Sequence, residues 1–326
     1  MTPTVRPALY VRLPNWVGDV CMSLPSLQAL LDTGLPVVAC ARPWAQDLLA
    51  AYPLAGFIPM QGTWRADRAA VRRHLKQAGY NRPRGLLLPD SLSSALVFRF
   101  AGIACAGYRD DGRSLLLRWP CRKPKGPLHA VQSWYHLTRF ALGQWHLAHT
   151  GPAEPADELS WTATQAHEQQ AIQALAQAGL RQGAFVLIAP TAVGLHKGRI
   201  KAWSGFDGLT QSLQARGLAV VMAPPSAERE AAQAAAPSAQ LLPPLGLGAF
   251  AALTRHAALV VCNDSGVSHL AAAAGARQLT LFGVTHPTQT GPWSNRATRL
   301  GRMNAWPTAT EVFSTAIELL NPSPAA

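Results

Sequence analysis

Charge is scarce in this chain, and acid is scarcest. Only 14% of the 326 residues are charged, and the 17 Asp and Glu are outnumbered by 29 Lys and Arg. With 48% apolar residues, the chain lacks the composition of a disordered segment. Its five cysteines are Cys21, Cys40, Cys105, Cys121 and Cys262. They form no C-x-x-C pair, and none lies at zinc spacing to a His pair. That argues against a disulfide framework or a structural zinc, and for buried free thiols in a reducing compartment. The ten His are dispersed and make no metal cluster. No window approaches the ~18 uninterrupted apolar residues of a membrane-spanning helix. The opening "MTPTVRPALYVRLP" has no signal-peptide apolar core. The expected setting is the cytoplasm, with a membrane face still within reach. There is no G-x-x-x-x-G-K-[ST] loop and no G-x-S-x-G elbow. "GLGAFA" (246–251) meets G-x-G-x-x-A, but it follows "LLPPL" rather than a strand, so the dinucleotide reading fails its context.

What remains is basic, with a formal net charge of +12. Such a chain is drawn to anions: nucleic acid, an anionic membrane surface, or phosphorylated substrates. A basic enzyme with no polyanionic partner is the plain alternative. Trp119 amid Arg118, Arg122, Lys123 and Lys125 is one aromatic, too few for a stacking platform, and no nucleic-acid recognition module is present.

Strand and helix patterns alternate. "ALYVRLP", "GLPVVACAR", "GFIPM" and "GLLLPD" read as strands. Between them lie a helix expected from Val20 to Asp32, the short "WAQDLLAAY", and the basic amphipathic "RADRAAVRRHLKQAGY" with Val71, Leu75 and Ala78 on one face. "SLSSALVFRFAG" is a further helix. Residues 112–127 break the pattern as a basic, Pro-containing loop, and a helix over about 128–142 follows. The Pro-rich, acidic stretch 149–161 reads as a linker. The second half starts over with strands "AFVLIAP", "LAVVMAPP", "ALVVCND" and "RQLTLFG", separated by helices and closed by "ATEVFSTAIELL". This predicts an α/β chain with parallel sheets, divided as 1–155 and 156–326, the terminal helix 309–320 being able to pack back on the first lobe. Sites in open parallel sheets lie beyond the carboxyl ends of the strands, which in a two-lobed chain means an interlobe cleft.

Three stretches sit where chemistry is expected. In "VVCNDSGVSHLAAAAG" a strand ends at Asn263-Asp264-Ser265-Gly266 and a small-residue helix begins. A helix N-terminus suits an anion, Gly266 admits close approach, and His269 lies one turn in. Equally, Asp264 or Ser265 caps the helix and His269 is a core residue. In "LPNWVGDVCMSLPSLQAL" Asp19 lies at a helix start, where a carboxylate either accepts a proton from a hydroxyl or acts as an N-cap. "APTAVGLHKGRIKAW" carries Thr191, Lys197, Arg199 and Lys201 between a strand and a helix, which suits a phosphate or is a solvated basic loop.

Together these residues resemble the ADP-heptose:lipopolysaccharide heptosyltransferases of glycosyltransferase family 9. The resemblance is carried by "RLPNWVGDVCMSLPSLQAL", "LLLPDSLSSALVFRFAGIACAGYR", "KAW" (201–203) and "NDSGVSHLAAAAGARQLTLFG". It implies a GT-B fold of two Rossmann-like lobes, with parallel sheets facing an interlobe cleft. The first lobe would bind the acceptor and the second the nucleotide sugar. It implies an inverting, metal-independent transfer of heptose from ADP-L-glycero-D-manno-heptose to the lipopolysaccharide inner core, heptosyltransferase II-like, without a cofactor. Alternatives are heptosyltransferase I or another member with a different acceptor or donor. From another class, the alternative is a non-catalytic binder of nucleotide sugar or lipopolysaccharide precursor.

Residue by residue, the resemblance implies Asp19 as general base. It puts Thr191, Lys201, Leu245, Asp264, Ser265, Gly266 and His269 on the donor, with Glu228 or Glu230 at the nucleoside and Leu245 offering a backbone group to adenine. Lys197 competes with Lys201 for the diphosphate, because the loop from Pro190 to Lys201 is longer than the family's. Ser204 and Val284 stand where the family often has Pro. Asn15, Trp16, Gly18, Arg122 and Lys123 are candidates for the acceptor. The partner expected is an anionic Kdo-lipid A-type acceptor at the inner face of the membrane, met by the basic helix 65–76 and the loop 113–125 of a monomeric, peripherally bound enzyme.

Overall fold

The apolar runs of the sequence become strands covered on both faces, as parallel sheets require. The computed structural model describes residues 7–110, 112–148, 151–192, 195–196 and 198–321. The chain divides into two units, Met1–Ala156 and Asp157–Ala326, and the change falls inside the Pro-rich stretch 149–161.

The first unit holds strands β1 (Leu9–Arg12), β2 (Val37–Ala41), β3 (Gly56–Pro59), β4 (Arg84–Leu87), β5 (Ala104–Tyr108) and β6 (Trp119–Cys121). Its helices are α1 (Val17–Met22), α2 (Leu24–Leu31), α3 (Ala45–Leu48), α4 (Trp64–Ala78), α5 (Leu92–Ala101) and α6 (Ala130–Gln144). The sheet order is β3-β2-β1-β4-β5-β6, every pair parallel. Tyr10, Val38, Leu87, Phe98 and Ile103 lie in the core on the α4–α5 side.

The second unit repeats the plan. Its strands are β7 (Phe185–Ala189), β8 (Leu195–His196), β9 (Arg199–Ile200), β10 (Ala219–Met222), β11 (Gln240–Leu241), β12 (Leu259–Asn263), β13 (Gln278–Phe282) and β14 (Ala297–Gly301). Its helices are α7 (Gln165–Gln177), α8 (Phe206–Gln214), α9 (Arg229–Ala235), α10 (Leu247–His256), α11 (Gly266–Ala273), α12 (Pro287–Thr290) and α13 (Ala309–Leu320). The main sheet runs β11-β10-β7-β12-β13-β14, again all parallel, while β8 and β9 form a separate antiparallel hairpin in the loop after β7. Leaving out that hairpin, both units have the same order, reversing direction at β1/β4 in one and β7/β12 in the other. The terminal helix α13 buries Val312 and Ala316 in the second unit's own core, with Phe206, Leu209 and Val261.

Several boundaries differ from the expectation. The helix expected from Val20 to Asp32 is two helices, broken at Ser23 (φ −89°, ψ −2°), whose hydroxyl donates to Val20 O at 2.8 Å. Pro25 sits in the first turn of α2, where its missing N–H costs nothing. The stretch 112–127 is not all loop: it contains the edge strand β6, which admits Pro120 because an edge tolerates a missing donor. "GLGAFA" begins α10, and a Cβ on Gly248 would collide with the His167 ring, so this glycine serves the close approach of α10 to α7. All five cysteines are free and buried. Among the described residues, no helix is long and apolar enough to cross a membrane.

Candidate active site

In an open parallel sheet the chain diverges to opposite faces where the strand order reverses, leaving a crevice at the carboxyl ends of the two central strands. In the first unit these strands are β1 and β4. Arg12 closes β1 and is buried, and its guanidinium determines the shape of the following loop. Nη1 donates to Leu13 O and, at 3.4 Å, to Cys40 O; Nη2 donates to Asn15 Oδ1 at 2.6 Å. Burial pulls the pKa of this guanidinium down from its ordinary value, against the opposing pull of Cys40 and Asp67.

The loop leads into α1 through Trp16, which is the N-cap (φ −111°, ψ 147°) and 67% exposed. Gly18 is buried beneath it. Asp19 is therefore the third helical residue, half-buried in the first turn, and not the cap. Its charge adds to burial in pushing the Cys21 thiol up.

The loop after the neighbouring strand β4 carries another carboxylate, Asp90. Arg113, with a fully buried side chain, reaches it at 3.4 Å, and Lys123 reaches it at 2.6 Å. Arg113 also donates to Tyr108 O (2.6 Å), Pro89 O (2.6 Å) and Ser91 O (3.3 Å), joining the loops after β4 and β5. Lys123 bridges on to Asp110 at 2.6 Å, its ammonium 5.4 Å from the Tyr108 ring centroid. Partial burial draws the Lys123 pKa down, but its hydrogen bonds to Asp110 and Asp90 outweigh that and hold it above the ordinary value. Of the expected surface cations, Arg113 is a buried strut, and Lys123, itself exposed, is clasped by two carboxylates. Arg122 and Lys125 remain exposed.

In the second unit the reversal is at β7 and β12. Asn263 closes β12, followed by Asp264 and the N-cap Ser265, whose hydroxyl accepts from Val267 N at 3.3 Å. The capping role of Ser265 is real, and Asp264 is left to other partners. Its Oδ2 accepts from Thr285 Oγ1 at 2.5 Å and Thr290 Oγ1 at 3.0 Å, both after β13. Gly266 opens α11, and His269, its fourth residue, is buried.

Beyond β7, Thr191 donates its hydroxyl to Glu228 Oε2 at 2.6 Å. Glu230, in the first turn of α9, is exposed and apart from this pair. Lys201 is half-buried directly after β9, in a segment whose Trp203 N–H is accepted by Asn263 Oδ1 at 2.9 Å. Lys197 lies outside the described residues. Leu245 is half-buried just before Gly246, the N-cap of α10. Trp306 lies against Gly283, where any Cβ would collide with its indole.

Thr191, Asp264, Ser265 and Gly266 thus gather at one crevice, Asn15, Trp16, Gly18 and Asp19 at the other. Residues missed from the sequence are those that hold these in place, Arg12, Asn263, Thr285 and Thr290, together with Asp90, which pairs with Arg113 and Lys123. Only Asn263 carried a signal, as an amide closing an apolar strand. Among the described residues, no group of three or more His, Cys, Asp or Glu could hold a metal ion.

The chain is 28% identical over 305 residues to lipopolysaccharide heptosyltransferase 2 of Escherichia coli (strain K12), covering 87% of this chain and 85% of that protein. The solved structure of E. coli ADP-heptose lps heptosyltransferase II superposes with a TM-score of 0.76 at 23% identity, covering 96% of this chain and 98% of that one. A glycosyl transferase family 9 structure from Veillonella parvula gives a TM-score of 0.80 at 14% identity, with 97% of each chain covered. The two parallel six-stranded sheets with flanking helices are the GT-B fold. The profile of "Glycosyltransferase family 9 (heptosyltransferase)" matches residues 68–318, well over half of the chain, and the protein belongs to that family.

Proposed function

We propose that this glycosyltransferase moves a heptosyl group from ADP-heptose to the inner core of lipopolysaccharide, by a single inverting displacement. The observation that carries the reading is that the residues it needs sit at the carboxyl mouths of the two reversal points, the base in one unit and the donor groups in the other. The likeness to lipopolysaccharide heptosyltransferase 2 supports the choice of substrates.

In the first unit Asp19 takes the proton of an acceptor hydroxyl as its oxygen attacks the anomeric carbon of the heptose. The bond from that carbon to the diphosphate oxygen breaks, and ADP leaves with the electron pair. Asp90, after the adjacent strand β4, is held in ion pairs by Arg113 and Lys123. In the second unit the N-terminus of α11 and the ammonium of Lys201 meet the charge developing on the diphosphate. Asp264, anchored by Thr285 and Thr290, lines the sugar's side of this crevice, and Glu228 with Thr191 meets the nucleoside. Transfer without a metal follows from these groups meeting the leaving charge themselves. The acceptor is an anionic, lipid-anchored saccharide at the cytoplasmic face of a membrane, approached by the exposed cations Arg122 and Lys125.

The test is incubation with ADP-heptose and defined inner-core acceptors, read by mass. A gain of one heptosyl residue with release of ADP is expected. ADP binding without any product would reduce the chain to a binder and overturn the reading.

A further inference from the structure

Asn263 is the last residue of β12, and its side chain is fully buried at 0% exposure. Its Oδ1 accepts from Trp203 N at 2.9 Å, while its Nδ2 donates to Pro190 O at 3.0 Å and Ala189 O at 3.4 Å. One carboxamide therefore joins segments 60 and 73 residues away in sequence. The pattern needs an acceptor on one side and donors on the other, which only an amide of this length supplies here. A carboxylate would set oxygen against the two carbonyls. An apolar side chain would leave an N–H and a carbonyl without their buried partner.

The two segments so joined are not arbitrary. Pro190 directly precedes Thr191, and Trp203 lies two residues after Lys201. The far side of the second segment is itself immobilised, because Trp203 Nε1 donates to Pro307 O at 3.0 Å and its ring meets Phe206 edge-on at 5.4 Å. We infer that Asn263 is a positioning residue of the donor site. Its carboxamide fixes the spacing between the loop bearing Thr191 and the segment bearing Lys201, and so sets affinity for the nucleoside diphosphate without touching it. This rests on the donor assignment made above. A residue that merely filled the core would act on stability and leave the two ligand-bearing segments uncoupled.

The experiment uses the full chain and ADP as the probe. Asn263→Ser keeps a small polar group, and Asn263→Asp keeps the shape and the acceptor for Trp203 N–H. At a temperature where both are folded, ADP dissociation and donor KM should each rise by ~10-fold, the scale of a buried hydrogen-bond network, while kcat stays within about threefold. The same substitutions are then made in Thr191→Val and Lys201→Met backgrounds, where the loss in ADP affinity should shrink to roughly twofold because the positioned groups are gone. Unchanged ADP affinity in folded variants, an equal loss in every background, or loss of the fold in both variants would each overturn the inference. Failure of the wild-type chain to bind ADP would instead sink the donor assignment itself.

Discussion

The hydroxyl of Thr191 donates to the carboxylate of Glu228 at 2.6 Å, linking the loop after β7 to the turn that precedes α9. β7 and β10 are neighbours in the sheet, so the chain segments leaving them emerge side by side. Under the proposed donor reading, phase selects Glu228 of the two acidic residues of "SAERE": Glu228 ends a short 3-10 turn and accepts from Thr191, while Glu230 is exposed in the first turn of α9. Glu228→Ala should weaken ADP binding by roughly 10- to 100-fold, the worth of a charged hydrogen bond, and Glu230→Ala should leave it unchanged. Calorimetric titration with ADP checks both; equal effects would return the question to where the sequence left it.

Asp19 offers a separation of catalysis from donor binding. Trp16 holds the N-cap position of α1, so replacing Asp19 removes no helix cap. Asp19→Asn, which keeps the side chain's size, should bind ADP normally where it is folded and lose ~10²- to 10⁴-fold in turnover. Turnover within a few-fold of wild type would remove the base assignment.

Arg113 and Lys123 share Asp90 but should behave differently. The Arg113 side chain is 0% exposed and ties two loops together, so Arg113→Met should cost about 3 kcal/mol or more in urea unfolding. Lys123 is 44% exposed, and water screens its bridges, so Lys123→Met should cost under about 1 kcal/mol. A reversed order of stability would mean that the buried strut is not what holds this rim.

Under the proposed function, the exposed cations Arg122 and Lys125 should meet a lipid-anchored acceptor. Reversing both to Glu should lower transfer to acceptor in anionic vesicles by roughly tenfold at low salt, with the difference fading as salt screens it. Transfer to the same saccharide in detergent-free solution should be unaffected. An equal loss in both assays would assign these residues to the saccharide and not to the lipid surface.

Burial pushes the thiols of Cys40 and Cys262 up to about 12, from an ordinary value of 9.0. Above about pH 9 the unfolded chain loses these protons while the folded chain keeps them. The unfolded state then binds fewer protons, so stability falls as pH rises, by ~1.4 kcal/mol per pH unit for each thiol. Unfolding midpoints should decline between about pH 9 and pH 11, and less steeply in a Cys40→Ala, Cys262→Ala variant. Identical slopes would show that other groups govern the alkaline limb.

The sequence displayed the sheet interiors well, because strands such as "VVACA" and "LVVCN" are apolar throughout and bounded by loop residues. Of the four edge strands of the two six-stranded sheets, only β3, in "GFIPM", was legible. β6 is "WPC", β11 is "QL" and β14 is "ATRLG", and each is too short or too polar to stand out from its surroundings. β5, "ACAGY", was hidden by its small residues. At the site, Asp19 and the "NDSG" stretch were visible because they interrupt apolar runs. The partners that hold them were not. Arg12 on Cys40, Thr285 on Asp264 and Asn263 on Trp203 are contacts between segments that only the fold brings together.

The repeated strand order has a further consequence. No ladder among the described residues exchanges a strand between the units, since each sheet is completed by its own half of the chain. A backbone break introduced near residue 156 would sever no β pairing, and the two fragments, made as separate polypeptides, would each retain a whole sheet from which to renature.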